Sequence, residues 1–381
     1  MRVAGIVVEY NPLHYGHLHH LNETKKLSGA DLVIAVMSSH VVQRGEFSIA
    51  DKFTKTKWAL KAGVDLVIEL PGVFSLQSAD LFARTSVDIL HRLGVTDLYF
   101  GSETGDIKPL EFLVELMNTD QYHDQLKHHM NQGKSYPTSS DLALKSLTDS
   151  EIFALPNNIL GLQYLRAIKD LKSPMKAHTI KRLAAGYYDD IVDDSAIQSA
   201  TSIRRLHGNQ APINAFVPPY VHRDLSTIDP FDDTRLFPYM MYTLKTSTAE
   251  TLRNLFGFEE GLENLFLKHH DAGSYSELLE RLSSARYTNA KIKRTLMHMV
   301  IGIKKDVLTT FEIPYIRVLG MNKTGQQYLN RIKKDYPIPL ITKIKADKHP
   351  YLDYELRITR LFDLVHQTNY FKQEFKPVII V

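Results

Sequence analysis

The sequence predicts an α/β protein, a Rossmann-like doubly wound parallel sheet in residues 1–210 followed by a mostly helical α+β domain in residues 211–381. Three observations predict it. Short apolar runs with β-branched weight alternate with longer helical patterns as far as Arg205, as stacked β-α units require. The texture then changes: Pro212, Pro218, Pro219, Pro230 and Pro238 punctuate the chain, and helical periodicity dominates from Thr246 to Val307. At 381 residues the chain has room for two cores.

The first strand is predicted at Val3–Val8, where nearly continuous apolar character suits burial on both faces. Tyr10-Asn11-Pro12 ends it, because proline has no N–H for a ladder and turns the preceding residue away from helix. His14-Tyr15-Gly16-His17 follows and opens a helix. Free N–H groups and the positive end of the dipole already favour an anion there, and a nucleotide triphosphate is the anion expected. A zinc site built from His14, His17, His19 and His20 is the rival reading, weakened by the lack of cysteine and of any carboxylate at ligand spacing.

Further strands are predicted at Leu32–Met37, Leu66–Leu70, Leu98–Phe100 and Ala177–Arg182, with helices at Asp51–Ala62, Ser78–Leu93, Ile107–Met117 and Ile159–Leu171. In such sheets ligands bind beyond the carboxyl ends of the strands, so residues just after each strand are the ones to inspect. After the second strand, Arg44 and Gly45 form a polar loop able to close over a ligand or simply to turn in solvent. After the fourth, Gly101 offers bare backbone to a flat group. Beyond a helical insert (His123 to Thr148), Asn157 and Asn158 stand at a helix start, as caps or as ligand contacts. Arg182 ends the next strand within reach of phosphate or base. Ser199 to Arg205 places hydroxyls and two arginines on a helix's first turns, a pattern suited to β- and γ-phosphates, with Ser202 and Arg204 foremost.

In the second half, Tyr315–Leu319, Lys323–Lys333 and Pro339–Ile341 read as a small β-α-β unit, His349–Val365 as a closing helix, and the tail ending in Val378-Ile379-Ile380-Val381 as an apolar strand or a docked terminus. Net charge is only +3, yet Arg286 to Lys345 holds thirteen Lys and Arg against three Asp and Glu. Arg286, Lys291, Lys293, Arg294, Lys304 and Lys305 are predicted to cluster on one helix, a footprint suited to a nucleic-acid backbone. Zero cysteines excludes disulfides and thiol chemistry and fits a reducing cytoplasm. No signal-peptide core or membrane-length apolar run stands out, so a cytoplasmic location is expected.

Strand, Asn-Pro turn and His-x-Gly-His together resemble the HIGH-type signature of nucleotidyltransferases and class I aminoacyl-tRNA synthetases. A narrower resemblance runs in order along most of the chain. Gly5 to His17, Val36 to His40, Gln43 to Glu46, Gly63 to Pro71 and Phe100 to Glu103 are similar to the bacterial tRNA(Met) cytidine acetate ligases. So are Pro156 to Gly161, Ser199 to Arg204 and Leu319 to Met321. Ser39 and Tyr15 depart from what is common in that family, which has glycine and smaller polar residues there.

That resemblance implies ATP as co-substrate with Mg2+, acetate activated as acetyl-adenylate without acetyl-CoA, and transfer to N4 of the wobble cytidine in the anticodon loop of elongator tRNA(Met). It implies ATP contacts along Val7, Val8, Glu9, Tyr10, Asn11, Pro12, Leu13, His14, Tyr15, Gly16, His17, Leu18, His19 and His20, and at Gly101, Asn157 and Arg182. His14 and His17 are the expected catalytic pair, with Ser202 and Arg204 on the phosphates and no protein-bound metal. Two other functions fit the residues less fully: an adenylyltransferase acting on a small phosphorylated metabolite, and a non-catalytic RNA-binding protein.

Overall fold

In a computed structural model describing all residues except 151, 153, 154, 183–197, 231, 285, 310, 311, 335 and 346–348, the five predicted strands lie side by side and parallel. They are β1 (Val3–Val8), β2 (Leu32–Ser38), β5 (Leu66–Leu70), β6 (Asp97–Ser102) and β7 (Lys176–Lys181), in the order β5-β2-β1-β6-β7. β1 and β2 are in register from Val3 opposite Leu32 to Val8 opposite Met37. Helices cover both faces, and alternate strand residues point to each. Val33, Ala35 and Met37 pack with Leu21, Trp58 and Ile203 on one side. Leu32, Ile34 and Val36 pack with Phe82, Leu90 and Leu162 on the other. That second core continues without a break into Leu244, Leu278 and Leu296 of the carboxyl-terminal helices.

The sheet does not end with residue 210, as the sequence reading expected. β8 (Ile316–Met321) joins it antiparallel to β5, and β9 (Leu340–Ile341) and β10 (Ile379–Ile380) both pair parallel with β8. The predicted β-α-β unit therefore forms, but as an extension of the first sheet. All six residues of β8 are buried, so it needs neighbours on both edges and cover on both faces. Asn322 fixes the join, its Nδ2 donating to the Asp65 carboxylate at 2.7 Å and its backbone N–H to the Asp65 carbonyl at 3.0 Å.

Two further features follow from close packing. The polar loop after β2 is a small antiparallel hairpin of β3 (Val41–Val42) and β4 (Glu46–Phe47). Its turn holds Gly45 at φ 81°, where a Cβ would come within 2.5 Å of the Arg294 backbone nitrogen. Only glycine lets the hairpin sit on the Asn289–Ile301 helix. Beneath it lies a fully buried charge cluster. Lys52 Nζ is 2.5 Å from Glu69, 3.0 Å from Glu355 and 2.9 Å from Glu374. Arg317 lies 3.2 Å from Glu69 and 2.6 Å from Glu374. Five separate stretches of chain meet in it. Among the described residues, no helix is long and apolar enough to cross a membrane.

Candidate active site

The crevice lies beyond the carboxyl ends of the parallel strands, where β1 runs into its turn. Tyr10 takes φ 47° and the Asn11–Pro12 bond is cis. The Asn11 side-chain oxygen accepts from the Ile49 N–H at 2.7 Å, anchoring the turn to the chain after β4. The Tyr15–Ser28 helix then begins, with His14 as its cap. His14 Nδ1 accepts from the Gly16 N–H at 3.1 Å, and His17 Nδ1 accepts from the His14 N–H at 3.4 Å. The histidines thus supply the reciprocal cap that hydroxyl and carboxylate side chains usually form.

This cap decides the tautomer. With each Nδ1 receiving a backbone N–H, the proton sits on Nε2, and both rings present a donor. The rings lie 3.8 Å apart, and Tyr10 packs edge-on to His17 at 5.1 Å. Burial holds His14 at about 3 and His17 well below the ordinary histidine range, the first aided by Arg182, the second by His14 and Arg182. Both are therefore neutral donors at pH 7 in the free protein. His20 follows at about 4 through burial and Arg182, and its Nε2 is buried without a hydrogen-bond partner among the described residues.

Not every residue of the 7–20 stretch aims at the crevice. Val8, Tyr10 and Leu13 are core side chains, so these positions can meet a ligand through backbone alone, and Val7 and Leu18 are partly buried against the two cores. Tyr15 is exposed on the rim.

The opposite wall is built from Glu103, Asn157 and Arg182. Glu103 caps the Pro156–Asp170 helix, one oxygen taking the Asn157 N–H at 3.2 Å and the other the Asn158 N–H at 3.0 Å. It also receives Asn157 Nδ2 at 2.6 Å, while Asn157 Oδ1 accepts from Arg182 Nη1 at 3.1 Å. A relay from carboxylate through amide to guanidinium thus aims Arg182 at the histidines. At Gly101, beside the arginine, a Cβ would lie 3.2 Å from Arg182 Cγ. The glycine makes room for the arginine stem.

Below the turn, Arg204 Nη1 donates to the Asn11 carbonyl at 2.7 Å, which ties the Ala200–Gly208 helix to the crevice. The Ser202 N–H donates to its cap Ser199 at 3.1 Å. Lys55, fully buried, donates to three carbonyls at the ends of β1 and β2: Glu9 at 3.1 Å, Ser38 at 2.9 Å and Ser39 at 2.8 Å. Burial lowers it to about 7 against the opposing pull of Glu9 and Asp51.

The six basic residues do not share one helix. Lys291, Lys293 and Arg294 lie on Asn289–Ile301, Arg286 precedes it, and Gly302 ends it before Lys304 and Lys305. Most are engaged within the chain. Arg286 pairs with Glu260, Lys291 with Glu259 and Lys293 with Glu46, while Arg294 donates to the Gln43 carbonyl and Lys305 to the Phe258 carbonyl. Lys293 and Arg294 join the basic segment to the hairpin at the crevice edge.

Comparison with known proteins places this geometry. A family model described as HIGH Nucleotidyl Transferase matches residues 1–376. The chain is 39% identical to the tRNA(Met) cytidine acetate ligase of Bacillus subtilis, over 96% of this chain and 92% of that protein. It is 42% identical to the protein of that name from Halalkalibacterium halodurans, over 94% and 91%. The crystal structure of Thermotoga maritima TmcAL bound with alpha-thio ATP superposes with a TM-score of 0.89 at 28% identity, covering all of both chains.

Proposed function

The chain belongs to the tRNA(Met) cytidine acetate ligase family of HIGH nucleotidyl transferases, and we propose that it joins acetate to N4 of the wobble cytidine of elongator tRNA(Met) at the cost of ATP. The observation that carries this reading is the pair of neutral imidazoles with Nε2 donors at a helix start, facing an arginine across the crevice. Donors fixed before the substrate arrives suit a reaction with no protein nucleophile. Acetate attacks the α-phosphorus, pyrophosphate leaves, and catalysis is alignment plus stabilisation of charge gathering on phosphate oxygens. The N4 amine then attacks the acetyl carbonyl and AMP leaves, so no acetyl-CoA is needed.

His14 and His17 are assigned to the α- and β-phosphate oxygens, Ser202 and Arg204 to the outer phosphates, and Gly101, Asn157 and Arg182 to the nucleoside side. Mg2+ is assigned to the triphosphate, whose oxygens are its usual ligands in such sites. We assign residues 1–210 to ATP and 211–381 to the anticodon loop. The exposed ion pair of Arg286 with Glu260 is compatible with that, since exposed pairs contribute little and the cation can turn to phosphate. Tests follow for both parts. Incubation with elongator tRNA(Met), ATP and isotope-labelled acetate, followed by nucleoside mass spectrometry, is expected to give labelled N4-acetylcytidine with AMP and pyrophosphate. AMP attached to a small acceptor instead, or RNA bound with no ATP consumed, would exclude it. Arg182→Ala is expected to raise the KM for ATP about 10-fold or more, the size of one charge-assisted hydrogen bond, with little change in Tm. An unchanged KM removes Arg182 from the ATP site.

A further inference from the structure

Acetylating an exocyclic amine leaves a proton to be removed, and the cradle histidines are poorly placed to take it. Their Nδ1 atoms hold backbone N–H groups and their Nε2 atoms carry hydrogen. The carboxylates around the crevice are mostly committed. Both Glu103 oxygens cap a helix, Glu46 pairs with Lys293, and Asp51 caps the Lys52–Ala62 helix through Oδ1 while its Oδ2, without a hydrogen-bond partner among the described residues, is shut away from solvent. Glu9 differs. It stands immediately beyond β1, partly open to the crevice, five residues before His14. Its Oε1 accepts from the Gln43 N–H at 2.8 Å, and its second oxygen makes no hydrogen bond among the described residues. Lys55 holds its backbone carbonyl, so the residue is fixed at both ends with one oxygen left over.

Resting on the acetate-ligase reading above, we propose that Glu9 is the general base of acetyl transfer, receiving through its unbonded oxygen the proton lost from the cytidine N4 amine. In that step the N4 lone pair forms the C–N bond, and the carbonyl carbon's bond to the AMP phosphate oxygen breaks, its electron pair leaving with AMP. The proton moves from N4 to Glu9 and passes to solvent before the next turnover. Every element around Glu9 contributes to its setting. Burial raises its pKa, the Gln43 N–H opposes that, and so do Lys55, Arg204 from the Ala200–Gly208 helix and Arg44 from the hairpin. Tyr164 on the Pro156–Asp170 helix faces it as a neutral phenol. A carboxylate raised above the ordinary range is a stronger base than a free one.

Glu9→Gln keeps an oxygen for the Gln43 N–H and removes only the basicity. Two rates separate its roles: acetate-dependent ATP–pyrophosphate exchange for the first half-reaction, and single-turnover transfer of radiolabelled acetyl to tRNA for the second. Transfer is expected to fall about 10²-fold further than exchange. The wild-type transfer rate should also decline as pH drops through the Glu9 pKa, a limb absent from Glu9→Gln. Equal losses in both rates, or none in either, would overturn the assignment: Glu9 would then shape the ATP site, or the departing phosphate would take the proton. Absence of exchange in the wild-type protein would instead overturn the acetate-ligase reading itself. Should Glu9→Gln melt early, Glu9→Asp carries the test, because it must retain the acid limb while transferring more slowly; loss of that limb counts against the base.

Discussion

Replacing His17 by alanine is expected to lower acetate-dependent ATP–pyrophosphate exchange by about 10²–10³-fold or more, the range seen when one donor to a developing oxyanion is removed. The fold should survive. His17 gives the helix start one long contact, 3.4 Å to the His14 N–H, and a lost cap costs only about 1 kcal/mol. The functional loss is larger because the ring does two things at once. Its Nδ1 is occupied by backbone, which leaves the proton on Nε2, and its face lies 3.8 Å from His14, which fixes where that Nε2–H points. His17→Gln, with an N–H at a similar reach but no ring to stack, should recover part of the rate. Exchange within about threefold of wild type in His17→Ala, with Tm unchanged, would mean that the paired imidazoles are a cap and nothing more. The comparison with Arg182→Ala then locates the ATP site within the crevice.

Much of this crevice was legible before any coordinates. Four of the five parallel strands announce themselves by short apolar runs, and Val3–Val8 and Leu66–Leu70 match to the residue because turn chemistry follows each of them closely. His14, Gly101, Asn157, Arg182 and Arg204 all come to the strand ends, as the rule for open α/β sheets expects. What stayed hidden is what depends on distant partners. β8 is ordinary as a string of residues; its antiparallel seat beside β5 is set by Asp65, some 250 residues earlier in the chain and bonded to Asn322. β3 and β4 are two residues each, too short for any period to register. The run of Lys and Arg from Arg286 suggests an open cationic face, yet Glu46, Glu259 and Glu260 pair with three of its cations from other elements. Lys52 and Lys55 stand three apart on a helix whose other buried residues include Phe53, Thr56, Trp58, Ala59 and Leu60, so an enclosed environment for two ammonium groups is legible in the spacing.

Lys52 is where the largest stability effect is expected. Three carboxylates surround two cations in a fully buried cluster, so one negative charge is already in excess, and burial, with Glu355 beside it, raises Glu69 to about 7. Glu374 goes the other way, to about 2, because Arg317 and Lys52 outweigh the effect of its burial. Lys52→Met removes the shared cation and leaves three carboxylates to Arg317 alone. Breaking a buried pair from one side typically costs about 3–5 kcal/mol, and that loss should appear in the urea midpoint and Tm at pH 8. The sign of its pH dependence is fixed by linkage. With the lysine gone, Glu69, already raised to about 7 by burial, loses an opposing cation and rises further, so the folded state binds more protons than the unfolded state in that window. The burden of that carboxylate on stability is then greatest at high pH and shrinks as pH falls from 8 to 6. The neutral histidines lose stability in the acid direction, but they do so in parent and variant alike and cancel from the difference. The gap between Lys52→Met and wild type should therefore narrow on acidification. A gap that is constant with pH would mean that lost packing, not stranded charge, accounts for the defect. Because Glu355 and Glu374 lie in the last part of the chain and Lys52 and Glu69 in the first third, the same variant should make residues beyond Pro350 exchange their amides faster. The closing helix would then be held to the first sheet by charge as well as by its apolar face.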